Sequence, residues 1–160
     1  MTDTQRLNDS TDKDEGFIGS AYPDSRGLWT AGKGRCLETN PLTGFEWRHL
    51  LGNKLVSFSI TEAGADWLRD RDLAAAEQAL RAHYHWFDSL NDARQNAFVE
   101  MRYQLGPHFD GFHEMLKAAA AGDWTRVHDE ALDSEWARDD SPARARVLAF
   151  QLLTGAFPQT

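Results

Sequence analysis

The chain has 160 residues, a length that suits one domain or two small lobes sharing a core. Hydrophobic residues make up 41% and charged residues 26%, close to the average for globular proteins, which excludes wholesale disorder and a fibrous repeat. Seventeen basic against twenty-five acidic side chains give a net −8, shared evenly by the two halves, so the basic block of a duplex-binding protein is missing and no nucleic-acid partner is expected.

Residues 1–14 carry two large apolar side chains, Met1 and Leu7, among Asp, Thr, Ser and Lys, so a frayed or only locally helical start is expected. This stretch has neither the basic nor the apolar block of a signal peptide, and no export signal is expected. No apolar run approaches the roughly 18 residues of a spanning helix, so no membrane partner is expected either. From Phe17 to Asn53 the texture changes: Gly19, Gly27, Gly32, Gly34 and Gly44 punctuate Tyr22, Leu28, Trp29 and Phe45, which predicts short strands, turns and a small sheet. Cys36, the single cysteine, forms no internal disulfide, which suits a reducing cytoplasm and excludes a thiolate metal cage. Leu55–Ile60 extends the same lobe.

Thr61 then caps a long helix over about residues 62–82, with Leu68, Ala75, Ala76, Ala79 and Leu80 near one stripe, and this helix reads as a connector between lobes. Ser89-x-x-Asp92 opens the next helix, whose Ala97, Phe98, Met101 and Leu105 recur at helical spacing before Gly106-Pro107 ends it. Helices are predicted at 109–121, 124–138 and 142–154, the last with Ser141 as cap, Pro142 at the first position and Gly155 as stop. The first third is mixed and the rest helical, without a repeat or βαβ alternation, which predicts an α+β fold with a helical majority.

Three constellations bear on chemistry. Gly27-Leu-Trp-Thr-Ala-Gly32-Lys33-Gly34 has the glycine and lysine spacing of a phosphate-binding loop, but Gly34 stands where a hydroxyl should hold magnesium, so nucleotide binding is not expected. His83-x-His85 and the pair His108 and His113 have poor chelating intervals, and no metal is expected. Glu15, Asp24 and Thr30 set two carboxylates and a hydroxyl beside glycine-rich turns, where they could share a cleft. Each also has a plain structural reading: Asp12-x-x-Glu15 as a capping box, Asp24-Ser-Arg-Gly27 as an Asp-opened β-turn, and Thr30 as an ordinary strand residue. Spacing leaves both readings open. Trp67, Trp86, Trp124 and Trp136 read as core or lobe-interface residues. Phe45 and Trp47 read either as a cleft extension or as packing of the small lobe.

Asp14-Glu15-Gly16-Phe17, Tyr22-Pro-Asp24, Gly27-Leu-Trp-Thr30 and Gly32-Lys-Gly34 resemble the catalytic stretch of the phage-type lysozymes, glycoside hydrolase family 24. Later blocks follow in the family's order: Ile60-Thr61-Glu62 with Asp72, Asp88-Ser-Leu90, Met101-x-x-Gln104-x-Gly106, Gly111-Phe112, Trp136, Pro142-x-Arg144 and Thr154-Gly155. The resemblance spans about residues 10–157. It implies a single lysozyme-like domain: a small lobe at about 15–60 with a short antiparallel sheet, a connecting helix at about 62–82, and a helical lobe at about 83–157. A substrate cleft between the lobes is also implied.

The implied activity is that of a muramidase, which cuts the β-1,4 bond between N-acetylmuramic acid and N-acetylglucosamine in peptidoglycan without cofactor or metal. By position Glu15 matches the general acid, Asp24 the water-orienting carboxylate and Thr30 the hydroxyl that holds the same water. Arg144 matches the arginine that pairs with the acid, and Gln104 a cleft residue near the substrate. Trp29, beside Thr30, is the aromatic expected to contact sugar. Such a reaction needs one carboxyl to give a proton while another stays ionised, and attack by a held water inverts the anomeric centre, with carboxyls roughly 6.5–9.5 Å apart. A lytic transglycosylase, needing no activated water, and a non-catalytic glycan-binding or structural module are the alternatives.

Three departures qualify the match. Arg35 stands where the family commonly has His, and is expected to pair with Asp72. The segment before Glu15 is poorer in apolar residues than in relatives. Glu100 precedes Met101 where relatives often carry a neutral amide; it either faces solvent or raises the acid's pKa. The expected partner is the peptidoglycan glycan strand, and the chain is expected to act as a monomer or as a module of a larger virion protein. It would reside in the host cytoplasm before release to the wall, or on the virion.

Overall fold

A computed structural model of the chain describes residues 3–51 and 61–158, the side chains of residues 12–15 and 51 excepted. The segment Leu55–Ile60, expected to extend the small lobe, lies outside the described residues. The elements run α1 (Thr4–Glu15), β1 (Ile18–Pro23), β2 (Trp29–Gly32), β3 (Arg35–Cys36), α2 (Gly44–Leu51), α3 (Glu62–His83), α4 (Asp92–Leu105), α5 (His113–Ala121), α6 (Trp124–Leu132) and α7 (Pro142–Thr154). One antiparallel sheet of order β1-β2-β3 sits near the N-terminus of a mostly helical chain, the α+β class expected. The chain divides into two compact units, residues 8–72 and residues 1–7 with 73–160.

Of the frayed or locally helical start expected, Thr4–Glu15 take the helical form. Asp3 caps α1 by accepting from the Arg6 N–H at 3.2 Å, and Asn96 of α4 grips the Asp3 backbone twice. The Asp3 N–H donates to Asn96 Oδ1 at 3.1 Å, and Asn96 Nδ2 donates to the Asp3 carbonyl at 2.9 Å. Leu7 is buried in the helical unit's core. One leucine and one asparagine thus replace the apolar face that the sequence lacks. The capping-box reading of Asp12-x-x-Glu15 is corrected as well, because it needs a helix to begin at Asp12 and α1 passes through that residue to end at Glu15.

In unit 8–72 the apolar core is small: Ala31 and Leu68 are buried, with Leu37, Leu42, Leu50 and Trp67 packed on them. Helix α2 was not foreseen. Its start is a reciprocal box in which the Thr43 N–H donates to Glu46 Oε2 at 2.8 Å and the Glu46 N–H donates to Thr43 Oγ1 at 3.2 Å. Thr61 caps α3 as expected, accepting from the Gly64 N–H at 3.1 Å.

The helical unit packs Leu80, Phe87, Phe98, Met101, Phe109, Met115, Leu148 and Leu152 into one buried cluster. Phe98 meets Trp86 and Phe109 edge-on at ring-centroid distances of 5.2 and 6.3 Å. Trp136 is buried, and Trp86 and Trp124 pack against the same cluster. Helix boundaries differ from expectation for local reasons. Asn91, not Ser89, caps α4, its side chain accepting from the Arg94 N–H, while Ser89 closes a 3₁₀ turn at Phe87–Ser89. A second 3₁₀ turn at Gly106–Gly111, containing Pro107, delays α5 to His113. The helix expected to reach 138 stops at Leu132, where Ser134 Oγ donates to the Ala131 carbonyl and accepts from the Ala137 N–H. Ser141 stands at the head of α7 but does not cap it with its side chain.

Candidate functional site

Asp24 follows the last residue of β1, and its main chain and side chain both fold the next four residues back on themselves. The Asp24 carbonyl accepts from the Gly27 N–H at 2.9 Å, closing a four-residue turn in which Gly27 takes φ +79°, a conformation glycine adopts without strain. Asp24 Oδ1 accepts from the Arg26 and Leu28 N–H groups at 2.8 and 2.9 Å. The plain turn-opening reading of Asp24 is therefore correct, but it uses one carboxylate oxygen. Oδ2 accepts no hydrogen bond among the described residues.

Leu28 links this carboxylate to the threonine. Its N–H holds Asp24 Oδ1, and its carbonyl accepts from the Asp24 N–H at 2.9 Å and, in a long contact of 3.4 Å, from Thr30 Oγ1. Thr30 is buried and pairs in register with Tyr22 on β1 and Cys36 on β3, so these three side chains share one face. Burial pushes the Cys36 thiol up, but hydrogen bonds from Thr39 and Glu38 outweigh it and leave the pKa below its ordinary value. Trp29, 53% exposed, does not share the Thr30 face, because neighbouring strand residues point to opposite sides of a sheet. It lies instead on the side of Ala31. The side chain of Glu15 lies outside the described residues; its main chain closes α1, three residues before Ile18, which pairs with Gly32.

Arg35 meets Asp72 with Nη1 at 3.2 Å from Oδ1, and also forms a fork that the sequence reading missed, Nη1 and Nη2 donating to Glu46 Oε1 and Oε2 at 3.0 and 3.1 Å. Its remaining donors reach the Asn40 side chain and the carbonyls of Asn40 and Pro41, so the guanidinium ties β3 to the following loop, to α2 and to α3. Burial raises the Glu46 carboxyl, yet the hydrogen bonds from Thr43 and Arg35 hold it at about 2. Asp72, for which burial outweighs the pull of Arg35, lies above its ordinary value. Two carboxylates thus compete for one guanidinium, and the bidentate partner wins. The Thr43-x-x-Glu46 box was the sequence signal that could have placed Glu46.

Lys33, the lysine of the phosphate-loop-like stretch, is buried with Nζ at 2.5 Å from Asp66 Oδ1. Gln104 and Arg144 belong to the helical unit. Gln104 donates from Nε2 to Ser141 Oγ at 2.5 Å, while its Oε1 is buried without a hydrogen bond among the described residues. Arg144 lies in the first turn of α7 and is partly buried. Glu100 is buried in α4, which removes the solvent-facing alternative for that residue. His83 Nδ1 lies 2.8 Å from the Ala79 carbonyl, and His85, His108 and His113 are exposed. No group of three or more His, Cys, Asp or Glu side chains placed to hold a metal occurs among the described residues. Nor is any helix among them long and apolar enough to cross a membrane.

Comparison with known proteins adds two findings. The family described as Phage lysozyme matches residues 12–148. The pre-baseplate central spike protein Gp5 of Enterobacteria phage T4 is 30% identical to the chain, the match covering 89% of this sequence and 27% of that protein. The chain therefore spans about a quarter of the length of that relative.

Proposed function

Because the chain belongs to the phage lysozyme family, we propose that it is a peptidoglycan hydrolase, a muramidase that adds water across the β-1,4 bond between N-acetylmuramic acid and N-acetylglucosamine. The observation that supports this reading most directly is the linkage of Asp24 to Thr30 through the backbone of Leu28, with one carboxylate oxygen holding the loop and the other left to take a water. A carboxylate and a hydroxyl held by the backbone of one residue are what a general base and its water need. Glu15 supplies the proton to the departing sugar oxygen, Asp24 draws the proton from the water, and Thr30 fixes that water's approach. Attack from the face opposite the leaving group inverts the anomeric carbon. The paired use of Asp24 and Thr30 favours hydrolysis over a transglycosylase, which needs no activated water.

The relative named as a spike protein supports a second element of the proposal, that the chain works as a virion-borne module. A net charge of −8 gives little long-range attraction to an anionic wall, and a catalytic module delivered by a particle needs little.

Purified cell walls test the reading. The unaltered chain should clear them and Glu15→Gln should not, while both still bind. Mass spectrometry of the released muropeptides should find water added to each new end, and NMR of the first turnover should find the inverted anomer. Clearing by the Glu15→Gln variant at the rate of the unaltered chain would remove the acid from the scheme.

A further inference from the structure

The β2–β3 ladder ends in an unequal pair. In the register that pairs Ala31 with Arg35 and Thr30 with Cys36, Trp29 stands opposite Leu37. A closely bonded antiparallel pair exchanges two hydrogen bonds, each residue giving its N–H to the other's carbonyl. Half of that exchange is present, the Leu37 N–H donating to the Trp29 carbonyl at 2.7 Å. The other half is not made by backbone, because the chain leaves the strand through a turn at residues 37–39. Glu38 Oε1 accepts the Trp29 N–H instead, at 3.0 Å.

We propose that Glu38 is a positioning residue for the water-activating pair, its carboxylate replacing the missing ladder carbonyl and so fixing the peptide unit that joins Leu28 to Trp29. The inference rests on the muramidase reading and deepens it. The Trp29 amide nitrogen is bonded to the Leu28 carbonyl carbon, and the oxygen of that same peptide accepts from Asp24 N–H and Thr30 Oγ1. Holding the N–H of a planar peptide orients its C=O, since the two are rigidly coupled. Glu38 thereby sets the direction of the carbonyl on which Thr30 rests, and the next amide back, that of Leu28, holds Asp24 Oδ1. The loop carrying Glu38 is itself held, Arg35 gripping Asn40 and Pro41 while anchored on Glu46 and Asp72. A charge-assisted bond to a backbone N–H is the stronger kind, which suits an exposed place where water competes.

Steady-state kinetics on solubilised glycan strands, for the unaltered chain, Glu38→Ala and Glu38→Gln, test this together with amide hydrogen exchange of Trp29. Glu38→Ala should lower kcat three- to tenfold at unchanged KM and speed Trp29 exchange at least tenfold. Glu38→Gln, which keeps an acceptor oxygen at the same reach, should recover both to within about twofold. The inference is overturned if Ala leaves kcat or Trp29 exchange unchanged, if the loss falls on KM, or if Gln is as impaired as Ala. An inactive unaltered chain would count against the muramidase reading alone, since Trp29 exchange still reports whether Glu38 holds the peptide.

Discussion

Asp24 builds a turn and is proposed to hold the reacting water, two roles that a single substitution can separate. Its Oδ1 and main chain build a turn, while its negative charge and Oδ2 are assigned to the water. An asparagine keeps a carbonyl oxygen for the Arg26 and Leu28 N–H groups but supplies neither the charge nor a base. Asp24→Asn should therefore unfold within a degree or two of the unaltered chain while kcat falls about 100- to 10,000-fold, the range that general base catalysis contributes. Asp24→Ala should lose the same activity and stability besides, because two backbone donors lose their acceptor. Thermal unfolding and turnover measured on both variants decide the matter. If Asp24→Asn stays active, the carboxylate only folds the loop, and if both variants melt alike, charge rather than geometry holds the turn.

At the scale of elements, α1 is the one whose stability bears most directly on the proposed chemistry, since it ends at Glu15. It is held at one end by the Asn96 grip on Asp3 and by Leu7, 3% exposed. Leu7→Ala should cost about 2–5 kcal/mol of unfolding free energy, as for other buried leucines. Denaturant titration measures this, and a loss under about 1 kcal/mol would mean that the helix is held elsewhere. This helix was also the least legible in the sequence. A single leucine among eleven polar residues has no apolar periodicity, and Asn96, which grips the Asp3 cap, lies 93 positions away. Helix α2 failed to be read for the opposite reason: its signal, Thr43-x-x-Glu46, was local and complete but sat in a glycine-rich stretch already assigned to strands and turns. The long α3, with Thr61 as cap, was legible as an element, and Leu68, Ala76 and Leu80 of its expected stripe are buried, but Ala75 is exposed and Leu73, outside that stripe, is buried instead. In the candidate site, the resemblance pointed to Asp24 and Thr30, whereas the Leu28 backbone that links them could not be read, since main-chain groups leave no mark on residue type.

Across the whole molecule, ionic contacts decide how stability follows pH, and each compact unit contributes its own titration. In unit 8–72, Glu46 falls from an ordinary 4.5 to about 2, the bonds from Thr43 and Arg35 overcoming burial. The unfolded chain then binds that proton more tightly than the folded one, so Glu46 contributes stability above pH 4.5 and loses it as pH falls toward 2, a change of about 3 kcal/mol. Asp110 of the helical unit, lowered chiefly by its hydrogen bond from Arg102, has the same sign. Asp72 has the opposite one: burial raises it, so its contribution is present below its ordinary 3.8 and is lost as pH rises through the raised value. Tyr84 governs the alkaline side, where burial and its bond to Asp110 push the phenol up to about 12, so its contribution holds below pH 10 and vanishes between 10 and 12. Unfolding free energy measured from pH 2 to 12 should therefore fall at both ends. Glu46→Gln should be less stable at neutral pH by roughly 3–5 kcal/mol, because Arg35 loses its bidentate charge partner. It should also show a flatter slope between pH 4.5 and 2, with the alkaline limb untouched. Tyr84→Phe should flatten the limb between 10 and 12 and also weaken Asp110's share of the acid limb, since the Tyr84 hydroxyl is one of the donors that lower that carboxyl, leaving the Glu46 share intact. An acid limb equally steep with and without the Glu46 carboxyl would mean that other carboxylates set acid stability, and that the Arg35 fork is held by geometry rather than by charge.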